Sequence, residues 1–382
     1  MTNVGKKMTQ LDYWLWLSLK EGMNATKMVR LLKAFDSPKA IFEMKRDDFG
    51  KAARVNKRTI AALCDKSMVR VEEVKEHCKQ IGICILTIDS PYYPQCLKEI
   101  SAPPHVLYVR CRHRYNLNDY TSIGVVGTRE ATDYGIAATE SIAYGAANNG
   151  FVIVSGMAKG VDAAAHRGAI SAGGITIAVV GGGLESAYPS CNKELMREII
   201  RTGMVISEYP PYSKPVKHHF PERNRIIAGL SKGVLVTEAP ERSGALITAN
   251  YALEENRDLF AVPGDITRPK SAGANNLIKE GAYPVTSARD IVEHYNVEYV
   301  EPANKVVTEN EASKEVVNND LYHDLTEEEK HIISKLSLTP VNFDTLLAAT
   351  GVTPDKLAST ITILEIKGKV KTLPGKNFTL NI

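Results

Sequence analysis

From about residue 81 onward, short β-branched runs alternate with helical stretches, and no other feature constrains the fold as much. The runs are ICILTI, SIGVVG, FVIVSG, TIAVVGGG, MVISEYP, GVLVTEA and LFAVPG. They are apolar almost throughout, whereas a strand with one wet face would alternate apolar and polar residues. Helical stretches such as DYGIAATESIAYGAANN, DAAAHRGAISAG and ALITANYALEENR lie between them. Strands buried on both faces and joined by helical crossovers specify a parallel sheet with helices on each side. The expected fold class is α/β, a doubly wound Rossmann-like sheet over residues 81–295.

The flanks read differently. Residues 1–80 carry apolar positions at helical spacing, punctuated by Gly, Asn and Pro, and predict a small helical domain. Residues 296–323 are polar without a sustained period and predict a flexible linker. Residues 324–382 predict a winged helix-turn-helix domain: Thr326 and Glu329 have capping-box spacing, Gly351 makes a turn, Thr353-Pro354 opens a helix, and a hairpin turns at Pro374-Gly375. Its second helix offers only Lys356 and Lys367 as cations, fewer than a reader of DNA grooves usually carries. An accessory or protein-binding role fits at least as well.

Composition narrows the function classes. At 382 residues, 44% hydrophobic and with a net charge of +3, the chain is an ordinary globular protein whose polyanion binding would have to come from a local patch. Its six cysteines form no Cys-x-x-Cys pair, so they are expected to be reduced, with no metal or disulfide framework. The first residues lack the pattern of a cleavable leader, and no segment reaches about 18 consecutive apolar residues, so a cytoplasmic location is expected.

In an open parallel sheet, ligands bind beyond the carboxyl ends of the strands. Six strand exits carry glycine, serine or cations there: Gly127-Thr128-Arg129, Ser155-Gly156, Gly181-Gly182-Gly183, FPERNR at 220–225, Arg242-Ser243-Gly244, and the loop into SAGANN. Small residues let backbone amides approach an anion, and helix N-termini add partial positive charge. Several such loops on one edge point to an extended anionic ligand. No phosphate-binding P-loop is present, and GGGLES is not a dinucleotide fingerprint, which argues against motors and dehydrogenases.

FPERNR raises a physical question, because it places Arg223 and Arg225 where an apolar run reads as the start of a helix. Cations there oppose the macrodipole, a cost that a bound phosphate would offset. Pro221 is expected to preset the turn, and Asn224 to bridge to backbone. Phe220 either offers a base a stacking surface or packs into the core. Asp162 and His166, four apart, are expected to make a local helix contact rather than an acid/base pair. The adjacent His218 and His219 are expected in a loop near the phosphate edge. Glu238 ends a strand at the ligand edge and Glu254 lies in the helix after Ser243-Gly244; either has the chemistry of a general base, but with no nucleophile or metal beside them they are expected to position arginines.

The stretches YPQCLKEISAPPHVLYVR, GVVGTREATDYG, SGMAKGVDAAAHRGAI, FPERNRIIAGLSKGVLVTEAPERSGALITANYALEENRDLFAVPG and SAGANNLIKEGA, in this order, resemble the DNA-processing protein A (DprA or Smf) family. The flanks fit more loosely, as a sterile-alpha-motif-like domain and a winged helix. The resemblance implies single-stranded DNA binding, protection of incoming strands during natural transformation, loading of the RecA recombinase, and homodimers through the Rossmann-like core. It implies no catalysis and no cofactor. The family's DNA pocket maps onto Gly127, Thr128, Arg129, Ser155, Gly156, Arg223, Asn224 and Arg225, with Lys159 as an addition; Ser243 and Gly244 join them from the strand-exit reading. Met157, Val161 and Ala245 depart from residues common in the family.

Two other readings compete. One is a nucleotide-processing enzyme like the lysine-decarboxylase-like phosphoribohydrolases, although RSGALITANYALEE lacks their double glycine and short spacing to glutamate. The other is an adaptor whose flanking domains dock proteins.

Overall fold

Nine strands form one sheet: β1 (Cys84–Thr87), β2 (Val106–Cys111), β3 (Ser122–Val126), β4 (Val152–Ser155), β5 (Thr176–Val179), β6 (Met204–Ser207), β7 (Gly233–Val236), β8 (Asp258–Ala261) and β9 (Tyr283–Pro284). In this computed structural model their order is β1-β2-β6-β5-β4-β3-β7-β8-β9. Residues 8–52, 55–300, 325–336, 341–367, 369–373 and 377–380 are described. From β6 to β9 every neighbouring pair is parallel. The chain runs outward from β3 through β4, β5 and β6, then returns to β7 on the other side of β3. This reversal is the doubly wound switch point. The sheet is not parallel throughout, because β2 pairs antiparallel with both β1 and β6. Such antiparallel edges are common on parallel sheets.

Strand periodicity sorts the core into two layers. Leu107, Val126, Val154, Val179, Ile206 and Val236 face one side, packed under α7 (Gln95–Lys98), α11 (His219–Leu230), α12 (Gly244–Glu254) and α13 (Ala272–Lys279). On the other side, Ile123, Val125, Ile153, Leu235 and Phe260 pack under α8 (Asp133–Asn148), α9 (Val161–Ser171) and α14 (Ala288–His294). With both faces covered, neither needs polar residues, which is why the runs are continuously apolar.

Six helices precede the sheet: α1 (Gln10–Ser18), α2 (Ala25–Phe35), α3 (Pro38–Glu43), α4 (Arg46–Ala52), α5 (Lys57–Cys64) and α6 (Val69–Gln80). Asn24, Ser37 and Asn56 each accept a bond from the amide three residues on, so polar caps start α2, α3 and α5. Trp14, Leu17, Leu31 and Val74 share one hydrophobic cluster with Val106, Tyr108, Ala178 and Val205 of the sheet and with Met196 and Ile199 of α10 (Lys193–Thr202). Contacts accordingly divide the chain into Met1–Glu301 and Pro302–Ile382, with position 80 inside the first unit. Most of the expected linker lies outside the described residues.

The second unit contains α15 (Glu327–Ile333), β10 (Val341–Asn342), α16 (Phe343–Thr350), α17 (Pro354–Ile366), β11 (Val370–Leu373) and β12 (Asn377–Leu380). The strands form an antiparallel sheet in the order β10-β12-β11, and Ile332, Leu346, Leu357, Leu364 and Phe378 fill the core. The Thr326–Glu329 capping box forms, Gly351 takes a φ of 66°, and Lys367 binds Glu329 at 2.8 Å. The turn expected at Pro374-Gly375 lies outside the described residues.

Two histidines are buried in the first unit. His166 Nδ1 donates to the Thr176 hydroxyl at 2.7 Å, and that hydroxyl donates to the Ile153 carbonyl. The ring therefore bonds to a neighbouring strand and not to Asp162, as the i, i+4 spacing suggested. His105 stacks with Trp14 at 5.4 Å, between the helical layer and the sheet. Burial pushes His166 down to about 3 and His105 down to about 4. Both are neutral in the fold at pH 5, where an unfolded chain would bind protons on them. Stability is thus complete above about pH 6.5 and falls as pH drops toward 4. Urea unfolding is expected to show a loss of about 2 kcal/mol per histidine between pH 6.5 and 5. His166→Gln should flatten this dependence by one histidine's share; an unchanged slope would contradict the assignment.

Candidate nucleic-acid interface

The carboxyl ends of β3, β4 and β7 meet the starts of α11 and α12 around a cavity of about 610 Å³ at the switch point. Four cations, Arg129, Lys217, Arg223 and Arg242, line it against two carboxylates, Glu130 and Asp162. Of the residues singled out from the sequence, Gly127, Thr128, Arg129, Arg223, Asn224, Ser243 and Gly244 line this cavity.

The loop after β3 is held from behind. Thr128 N donates to the Glu238 carbonyl at 2.7 Å, while the Glu238 carboxylate accepts from Thr132 N at 2.8 Å and Thr132 Oγ1 at 2.9 Å. Glu238 therefore positions the loop carrying Arg129 instead of binding an arginine as expected; Glu254 is exposed on α12. A Cβ on Gly127 would stand 2.5 Å from Val161 Cγ2 and 2.8 Å from the Glu238 carbonyl oxygen, so only glycine lets the loop pass. Arg129 is exposed, with its guanidinium carbon 5.4 Å from the Phe220 ring centroid. Phe220 in turn lies 5.5 Å from Tyr188, so it joins an aromatic wall of the cavity and not the core.

FPERNR differs from its sequence reading. The helix begins at His219, with Pro221 in the first turn, where a missing N–H costs no helix bond. Arg223 then sits more than a turn inside, beyond most of the macrodipole's reach. At about 100° per residue, Arg223 and Arg225 point to opposite sides of α11.

Arg223 is 5% exposed, and its Nη1 donates to the Gly156 carbonyl at 2.8 Å and to the Val179 carbonyl. A Cβ on Gly156 would stand 2.4 Å from that nitrogen, so glycine at this position makes room for the guanidinium. Burial pulls Arg223 down to about 10, opposed by the charge of Asp162, and it stays protonated at neutral pH. Burial likewise pushes the Asp162 carboxyl up, opposed by Arg223. Arg225 pairs with Glu208 and faces away from the cavity. This separates it from the phosphate grip expected of it.

The remaining residues have distinct places. Asn224 Nδ2 donates to the Gly244 carbonyl at 3.3 Å, tying α11 to the start of α12, as a bridge to backbone. Ser243 caps α12, accepting from Ala245 N at 3.2 Å, and an added Cβ on Gly244 would meet no atom within 4 Å. The α12 N-terminus therefore opens onto the cavity, which suits an anion. Ser155 is buried and donates to the Val125 carbonyl at 2.6 Å, so its hydroxyl is spent on holding β4 to β3. Lys159 is exposed, outside the cavity lining. His219 donates through Nδ1 to the Gly181 carbonyl at 3.0 Å and stacks on Tyr209. Among the described residues, no three His, Cys, Asp or Glu side chains are grouped to hold a metal.

Sequence reasoning missed Lys217 and Tyr188 as lining residues. Neither stands at a strand end; each lies late in a long loop, Tyr188 after β5 and Lys217 after β6.

The family model for DNA recombination-mediator protein A matches residues 84–296, and that for the DprA winged helix domain matches residues 320–376. The chain is 33% identical to protein Smf of Synechocystis over 96% of its own length and 98% of that protein's. The structure of DNA processing protein A from Streptococcus pneumoniae superimposes with a TM-score of 0.65 at 36% identity, covering 77% of this chain and all (100%) of that one. A Helicobacter pylori DNA processing protein A, solved to show its single-stranded DNA binding mode, matches at a TM-score of 0.51 and 30% identity over 56% of this chain and 97% of its own. With a cation-rich switch-point cavity, a matching core and a matching C-terminal module, the chain belongs to the DNA recombination-mediator protein A (DprA/Smf) family.

Proposed function

We propose that this protein binds single-stranded DNA across the switch-point cavity and, as a non-catalytic mediator in the cytoplasm, protects the strand and passes it to the RecA recombinase during natural transformation. The observation that carries the reading is the exposed Arg129 guanidinium over Phe220, in a cavity where four cations face two carboxylates. Arg129 grips a phosphate, the α12 N-terminus and the Ser243-Gly244 amides orient the backbone, and Phe220 with Tyr188 offers bases a stacking face. Arg223 acts beneath the strand by fixing Gly156, with its Nε turned into the same buried environment. Gly127, Thr128, Ser155 and Asn224 hold the loops in place, and Lys159 reaches the strand only beyond the cavity. The H. pylori relative supports this reading through its own single-stranded DNA binding mode. Copies pair through the Rossmann-like core, and the winged helix serves as an accessory protein-binding module. The domains divide near 80/81, with a linker over residues 296–323. Among the described residues no helix is long and apolar enough to cross a membrane.

Fluorescence anisotropy with a labelled oligonucleotide over a salt series tests the site. Arg129→Ala is expected to weaken binding with little sequence dependence and to lower the magnitude of the salt slope by about 0.7, the share of one single-strand phosphate contact. An unchanged slope and affinity in the folded variant would sink the assignment.

Arg129 and Arg223 should separate by stability. Exposed Arg129→Ala is expected to change unfolding free energy by about 0.5 kcal/mol or less, while Arg223→Ala, which empties a buried cation site and strands Asp162, costs about 3 kcal/mol or more. Equal melting temperatures for the two variants would contradict the buried role of Arg223. Incubation with nucleoside monophosphates is expected to release no free base; robust turnover would favour the phosphoribohydrolase reading.

A further inference from the structure

A second cavity of about 450 Å³ opens on the other side of α11, where the connection from α1 to α2 packs over the sheet. The ridge from Lys217 to Glu222 separates it from the first: Lys217, Phe220 and Pro221 face the phosphate cavity, whereas His218, His219 and Glu222 face the second. The two cavities therefore lie on either side of one short ridge, the end of the loop after β6 and the first turn of α11.

The second cavity is chemically unlike the first. Its one arginine, Arg225, is already paired with Glu208, and Glu222 accepts a bond from the Tyr209 hydroxyl at 3.0 Å. Burial holds His105 down at about 4, with the Arg225 charge contributing, and also lowers His219. With one arginine against two carboxylates, the walls repel a phosphate. They nevertheless mix donors and acceptors. Arg225 is 6% exposed and its Nη1 has no hydrogen-bond partner. Ala25 and Thr26, at the start of the 11-residue α2, present first-turn amides that have no acceptor within the helix. Tyr209 and His219 stack at 3.7 Å between ring centroids with 14° between planes, making a flat half-buried wall.

We propose that this second cavity binds a nucleobase: an uncharged, planar heteroaromatic ring with edge donors for Glu208 and Glu222, edge acceptors for Arg225 and the α2 amides, and a face for the Tyr209–His219 wall. For a base belonging to the bound strand, the inference rests on the single-stranded DNA reading above; a free nucleoside is the other source of the same chemistry. A base from a strand held at Arg129 crosses the Lys217–Glu222 ridge to reach the pocket.

The test uses the full chain and Ala102→Trp, which fills the cavity from a half-buried lining position and leaves every group named above in place. Labelled oligodeoxythymidine, oligodeoxyguanosine and an abasic oligomer of equal length are compared by anisotropy. Ala102→Trp is expected to weaken the base-bearing oligomers about five-fold or more, in line with a lost base contact, while its affinity for the abasic oligomer matches wild type. Glu222→Gln, in case the larger substitution disturbs folding, should weaken oligodeoxyguanosine more than oligodeoxythymidine. A titration with free deoxynucleosides, read by isothermal titration calorimetry, separates the sources. A nucleoside response lost in Ala102→Trp assigns the pocket to free bases, and a strand effect without it assigns the pocket to the bound strand. Wild-type behaviour of the folded variants toward every oligomer, together with no nucleoside response, overturns the proposal. Failure of wild type to bind any oligomer would instead overturn the single-stranded DNA reading, and the nucleoside titration would then decide the pocket alone.

Discussion

The Arg223 guanidinium, buried against the carbonyls of Gly156 and Val179, is the interaction on which the functional edge depends. It joins α11 to the exit of β4 and the end of β5, so the helix and these two strands share one anchor. Burying a cation is costly unless its donors find acceptors; Nη1 finds two main-chain oxygens, while Nε is buried without a partner. Glycine at 156 follows from that choice, because a side chain would occupy the guanidinium's space. Glu238 does the equivalent work for the neighbouring loop. The exposed cation, Arg129, is thus carried by a frame that has little freedom to move.

Helix α11 also divides the chemistry of this edge. Its two arginines are nearly opposite one another, so one serves a cavity rich in positive charge and the other a cavity where two carboxylates outnumber the one arginine. An anionic group is drawn to the first and repelled by the second, whereas an uncharged ring is not repelled by either. The helical layer before the sheet closes the second cavity. It packs through the same hydrophobic cluster as Val106, Tyr108 and Val205, which ties its position to that of the sheet.

Much of the architecture was legible because burial on both faces leaves an unmistakable composition. β3 to β8 were visible as apolar runs. β2 was not read as a strand, since VLYVRC sits between a proline pair and a basic segment, and its antiparallel pairing depends on long-range placement. The site was legible as a set of strand exits, but the directions of its side chains were not. Reading Pro221 as a turn placed the helix start too late and left Arg223 and Arg225 side by side; once Pro221 is recognised as a first-turn residue, helical geometry sends them apart. The inward hydroxyl of Ser155 and the arrival of Lys217 and Tyr188 from the far parts of long loops depend on tertiary packing that no local pattern encodes.

The far edge of the sheet ends in β9, two residues long and terminating in Pro284, whose nitrogen has no hydrogen to donate. A strand from another chain would find almost no ladder to extend there. Growth of the sheet by strand addition is blocked on that side, which guards a highly apolar core against templated aggregation. What that side offers any other molecule is therefore a surface of helix and loop side chains and not a row of backbone hydrogen-bonding groups.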